Sequence, residues 1–180
     1  MVLSLAVVMA GVLVFFLFVM PRGHGKPVRV VSDATTSVRS FARQAPYPVL
    51  APTGLGQNLW KPTSLRMQVP GSVEGAAHRA DLTIGYVIDR PEDQTYARYE
   101  VTNDPSAVQQ LLGNRPVTGR TTIDGQSWDL RRDDSGHLAL TRAAGAATVI
   151  IDDGAGDGGA SQADLETLAA SLRPVSASSP

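Results

Sequence analysis

The first twenty residues, MVLSLAVVMAGVLVFFLFVM, carry no charged side chain, and nothing else in the sequence constrains the chain as strongly. A helix rising about 1.5 Å per residue reaches about 30 Å over such a length, the thickness of a bilayer's hydrocarbon core. A cleaved signal peptide would need a basic start, a shorter apolar region and a small-x-small cleavage site, whereas FVMPRGHGKP follows directly here. A core helix of a globular protein would carry charge on at least one face at this length. Residues 1–20 are therefore expected to form an uncleaved transmembrane helix, with the lipid bilayer as its partner.

The rest of the chain is first basic and then acidic. Residues 21–80 hold eight Lys/Arg against two acids, Asp33 and Glu74, and residues 81–180 hold eight Arg against fifteen acids; +6 and −7 leave a net charge of −1. That balance gives no argument for nucleic acid as a partner. A basic segment between an apolar one and an acidic domain is instead a pattern of membrane-proximal electrostatics. Residues 21–45 read as a basic stalk with a short helix, in which Asp33 stands at the N-cap and Val38, Phe41 and Ala42 share one face. Arg22, Lys26 and Arg29 all follow the apolar segment, and by the positive-inside rule that flank alone places the domain in the cytoplasm. Cysteine is absent, which excludes disulfides, thiol catalysis, cysteine-ligated metal and acylation at a lipobox cysteine.

Residues 46–174 read as one α+β domain. PVLAPTGLGQNLWKPTSLRM (48–67) runs extended or turning, stiffened by its prolines, and is read as scaffold that Trp60 anchors to the sheet. DLTIGYVID and TYARYEVT alternate in polarity around the loop RPEDQ, the pattern of an antiparallel hairpin. DPSAVQQLLGN is a compact helix with Asp104 as N-cap and Gly113 as its stop. Four strands in a meander follow, turning at Asp124-Gly125, Asp133–Gly136 and Ala143–Gly145. ATVII (147–151) is apolar on both faces, which predicts a mid-sheet strand under helices. Ser161 caps a last helix with Leu165, Leu168, Ala169 and Leu172 as its buried stripe. The expected architecture is an antiparallel sheet of about six or seven strands with two or three flanking helices, followed by a disordered tail over 175–180.

Motifs that carry chemistry are scarce. GAGDGG (154–159) fits G-x-G-x-x-G between a strand and a helix, but the second parallel strand and the acidic residue of a dinucleotide site are missing. Asp152, Asp153 and Asp157 would also set carboxylates where a pyrophosphate belongs. They are weak candidates for a metal, because oxygen-rich side chains beside glycine suit calcium, yet their spacing matches no EF-hand. His24, His78 and His137 lack metal-ligand spacing. G-x-S-x-G and S-x-x-K are both absent, so no serine nucleophile is marked. No catalytic residue and no cofactor is assigned, and Trp60 and Arg66 are the candidates for an interaction surface.

The segments MVLSLAVVMAGVLVFF, YPVLAPTGLGQNLWKPTSLRM, LTIGYV and IDGQSWDLRR, in that order, resemble the actinobacterial domain of unknown function 4245 family across nearly the whole chain. The resemblance implies one N-terminal membrane helix and one extracytoplasmic domain, and it implies no activity. It also implies a short charged segment ahead of the helix, which this sequence does not carry. The element order is similar to the PsbP-like fold, an analogy of architecture alone. The reading that follows is a single-pass membrane protein with a non-catalytic extracytoplasmic binding or assembly domain, facing an envelope protein or ligand. The alternatives are a divergent cell-envelope hydrolase and a cytoplasmic, membrane-tethered partner of an enzyme.

Overall fold

A computed structural model describes residues 29–73, 77–154 and 158–176. The expected transmembrane segment 1–20, residues 21–28 of the stalk, Asp157 and the last four residues lie outside the described residues. No described helix is long and apolar enough to cross a membrane.

The elements in chain order are α1 (Ala34–Ala42), β1 (Leu50–Pro52), β2 (Trp60–Gln68), β3 (Asp81–Asp89), β4 (Gln94–Thr102), α2 (Ala107–Leu112), β5 (Val117–Ile123), β6 (Gln126–Arg132), β7 (Leu138–Ala144), β8 (Ala147–Asp152), α3 (Gln162–Ala170) and β9 (Leu172–Pro174). Seven strands form one sheet in the order β2-β3-β4-β8-β7-β6-β5, and β1 pairs with β9 in a separate ribbon. Every strand pair is antiparallel. The expected α+β architecture, with seven strands and three helices, is the one observed.

Period-two alternation decides what each face of the sheet does. Leu82, Ile84, Tyr86 and Ile88 of β3 share a face with Tyr99, Val101, Trp128, Leu140, Val149 and Ile151, and this face packs under α1, α3 and the β1–β9 ribbon. Burying each of the large side chains contributes roughly 1.5–3 kcal/mol. On the opposite face α2 covers only a patch, placing Ala107 and Leu112 on Ala139 and Ile150. β8 lies fourth of seven and is covered on both sides, which is why ATVII has no polar face. Beyond α2 the second face is polar, carrying Thr83, Arg98, Glu100 and Asp152.

Local chemistry fixes the connections. Asp124 and Gly125, at φ 51° and 73°, form the two-residue left-handed turn that joins β5 to β6. Ser161 and Asp164 close a reciprocal capping box at the start of α3. Arg90, from the β3–β4 turn, reaches Asp164 at 2.5 Å and ties that hairpin to the helix. Two caps differ from expectation. Asp33 makes no side-chain capping bond to α1. Asp104 stands two residues before the N-cap, Ser106, and accepts from the Ser106 backbone N–H at 2.8 Å, closing the turn before the helix.

Strands β1, β2 and β9 were not separable by pattern, and each has a local reason. β2 contains Pro62, which lacks a ladder donor, and it lies at the edge of the sheet with a bulge beside that proline. β9 continues directly from α3, so Leu172, expected on the helix stripe, is buried from a strand. The order continues into the expected tail, where the Val175 N–H donates to the Val49 carbonyl at 2.9 Å.

Candidate functional site

The ribbon leaves part of the core face open. Between it, α1 and the start of β2 lies a cleft of about 460 Å³, within the size range of small-ligand sites. Val38 lines one wall and Leu55 another, Trp60, Ile84 and Tyr86 form the floor, and Arg39 of α1 stands exposed at the rim. The segment read as scaffold builds the wall. Gly54 takes a left-handed φ of 75°, and the N–H groups of Leu59 and Trp60 both donate to the Gly56 carbonyl, at 2.9 and 2.8 Å. This loop swings 53–57 outward and turns Trp60 under it. The prolines and glycines of 48–67 thus connect and also line.

The floor is rigid and the rim is charged. The rings of Trp60 and Tyr86 meet edge-to-face with centroids 6.0 Å apart, a geometry that adds roughly 0.5–1.5 kcal/mol to the area they bury. Tyr86 is only 7% exposed, and its hydroxyl has no hydrogen-bond partner among the described residues. Tyr86 is one of the residues that line the cleft. Burial pushes its pKa above the ordinary 10.0, which keeps it a neutral donor. The other two core tyrosines are committed to the fold, Tyr47 donating to the carbonyls of Ala80 and Val101 and Tyr99 to that of Leu50. Arg39 forms no ion pair among the described residues.

A second depression of about 510 Å³ lies on the other flank of the ribbon, beside Trp128. Its cations already have partners. The Arg142 guanidinium stands 5.0 Å over the Trp128 ring and donates to Gln126 at 2.6 Å, while Arg173 pairs with Asp124 at 3.2 Å. Among the described residues, the cleft at Trp60 is the one of these two whose donor, Tyr86, and cation, Arg39, have no partner.

The residues singled out in the sequence do not converge. Trp60 is 5% exposed and points into the core, facing with Ile88, whereas Arg66 pairs with Thr83 on the opposite, polar face and is exposed. Six positions along a regular strand would share a face, and the bulge between Pro62 and Ser64 reverses the parity. Asp152 and Asp153 serve separate internal partners. Asp152 accepts a forked pair from Arg98 at 2.8 Å and the Gly154 N–H at 2.9 Å. Burial raises its pKa against the pull of Arg98. Asp153 accepts the Leu138 N–H at 2.8 Å and lies 3.3 Å from His137 Nδ1 and 3.8 Å from Arg115. Among the described residues no three His, Cys, Asp or Glu side chains gather as metal ligands. The end of GAGDGG is pinned to the sheet at Tyr96, whose N–H donates to the Gly158 carbonyl at 3.0 Å and whose carbonyl accepts the Ala160 N–H at 2.9 Å.

The family model of a protein of unknown function (DUF4245) matches residues 1–172. The chain belongs to the DUF4245 family. The DUF4245 match takes in the apolar leading segment, the stalk, all seven strands of the sheet and the cleft's floor. No curated protein and no solved structure matches the chain, so the PsbP-like order rests on element sequence alone.

Proposed function

We propose that this DUF4245 protein is a single-pass, membrane-anchored binding protein whose domain stands outside the cell membrane and uses the Trp60 cleft as its binding site. The observation that carries this reading is the cleft itself, an apolar cavity lined by Tyr86, whose hydroxyl has no partner among the described residues, and by Arg39, which forms no ion pair among them. Largely preformed apolar cavities with few polar groups are how small-ligand sites are built. Its lining offers shape, hydrogen bonding and charge, while the carboxylates and His137 that acid–base chemistry would use are engaged elsewhere. The uncharged segment 1–20 supports the anchor. The family resemblance supports the outer side, against the basic flank at Arg22, Lys26 and Arg29.

Placement is tested with C-terminal alkaline phosphatase and fluorescent-protein fusions of the full chain. Phosphatase activity without fluorescence is the expected result. Fluorescence without phosphatase activity would move the domain to the cytoplasm and favour the tethered-partner alternative.

A further inference from the structure

We infer that the ligand of the Trp60 cleft is an anionic amphiphile drawn from the bilayer, its acyl chain lying on Trp60 and Ile84 and its acidic head held at Arg39. This rests on the cleft being the binding site, as proposed above, and three features of the molecule narrow its occupant.

The first is distance. Only thirteen residues, Pro21–Asp33, separate the apolar segment from α1, the helix that forms the cleft wall. Fully extended they span at most about 50 Å, and the chain enters the domain beside the cleft, where the Val31 N–H donates to the Pro62 carbonyl at 2.8 Å and Pro62 itself lines the cavity. With residues 1–20 in the bilayer, the cavity stands within reach of lipid.

The second is charge. α1 carries Arg39, which lines the cleft, and no acid; Arg43 is its C-cap and Arg29 precedes it, so this stretch holds three cations against the single carboxylate of Asp33. Among the described residues Arg29, Arg39 and Arg43 form no ion pairs. A guanidinium suits a carboxylate or phosphate head, which it can grip with two parallel donors.

The third is the Tyr86 hydroxyl. Tyr86 is 7% exposed and lines the cavity, and its hydroxyl has no hydrogen-bond partner among the described residues. An unpaired buried donor costs free energy, and an ester or acid oxygen near the head of the amphiphile satisfies it. A simple hydrocarbon would leave it unpaired.

The test uses the full chain in nanodiscs of neutral lipid with two photoactivatable probes that share one diazirine-bearing chain, a phosphate-headed and a trimethylammonium-headed form. Adducts are mapped by peptide mass spectrometry. The expected result is labelling at residues 34–62 and 82–88 by the phosphate probe, at least about tenfold above the cationic one, a ratio that one charge-assisted hydrogen bond supplies. Arg39→Glu is expected to abolish or invert that preference, while Arg120→Glu, on the exposed face of β5, leaves it unchanged. Equal cleft labelling by both probes would overturn the anionic assignment and leave the cleft reading standing. Absence of cleft labelling by either probe would overturn both. Displacement of both probes by a synthetic peptide of the last residues would show the cleft to be the seat of the chain's own tail, and would overturn the lipid assignment.

Discussion

Trp60 opens β2 and Tyr86 sits near the end of β3, and their rings cross at 77° with centroids 6.0 Å apart, forming the floor of the cleft. The two residues differ in what the fold asks of them. Trp60 fills core volume, whereas the Tyr86 hydroxyl has no described protein partner. Trp60→Ala is expected to destabilise the domain by about 3–5 kcal/mol, and Tyr86→Phe to change its stability by less than about 1 kcal/mol because no protein hydrogen bond is lost. Thermal denaturation of the detergent-solubilised full chain checks both. A loss above that bound for Tyr86→Phe would show that its hydroxyl serves the fold.

The two helix starts make opposite predictions from similar sequence. Ser161→Ala removes the capping box of α3 and is expected to cost about 1 kcal/mol, lowering Tm by about 2–4 °C in a chain of this size. Asp33 precedes α1 but makes no capping bond, so Asp33→Ala is expected to stay within about 0.5 kcal/mol. Equal losses from the two substitutions would show that Asp33 caps its helix after all.

Two glycines separate a packing role from a loop role. A Cβ on Gly159 would fall 2.9 Å from the Asp153 carbonyl oxygen and 3.0 Å from its Cβ, while one on Gly56 would meet nothing within 4 Å. Gly159→Ala is expected to cost about 1–3 kcal/mol by overpacking, and Gly56→Ala less than about 0.5 kcal/mol. Urea denaturation midpoints of the two variants report the difference.

Stability is expected to depend on pH in two directions. Burial raises the Glu100 carboxyl above its ordinary 4.5, the Thr83 hydroxyl pulling the other way. Its contribution is therefore complete below 4.5 and is lost as the pH rises through the folded value. The Ser106 hydroxyl and N–H lower Asp104 below 3.8. At Asp164 burial acts upward, but Ser161 and Arg90 outweigh it and the pKa falls below 3.8. Stability from these two is present above 3.8 and lost as the pH falls through their folded values. Glu100→Gln, which still accepts from Thr83, is expected to raise Tm at pH 7 and to leave it unchanged below 4.5. A lower Tm at pH 7 would mean that the charged form of Glu100 is the stabilised one.

Much of the sheet was legible because its signals are local. The alternation of 82–88, the Asp124-Gly125 turn and the two-sided apolar run of 147–151 each follow from neighbouring residues, and each strand lies where it was expected. The three-residue strands of the ribbon were not legible, because β1 and β9 are joined only by pairing across more than a hundred residues. The cleft was half legible. Trp60 stood out by its setting, but Arg66, named beside it as an interaction candidate, lies on the other face because of a bulge at a proline. Tyr86 reads as one more core residue in an alternating strand. Its role follows from what its hydroxyl lacks, which pattern does not encode. Arg39 carries no signal beyond its position on a helix whose neighbours were unknown.

The most direct test of the cleft is hydrogen exchange of the full chain in neutral nanodiscs, with and without dodecyl phosphate. A ligand that binds the native state stabilises the segments it holds. The expected result is slower exchange over 34–43, 50–60 and 82–88, with β5 and β6 (117–132) unchanged. Protection confined to β5 and β6, or spread evenly over the domain, would contradict a binding site at Trp60 and Tyr86.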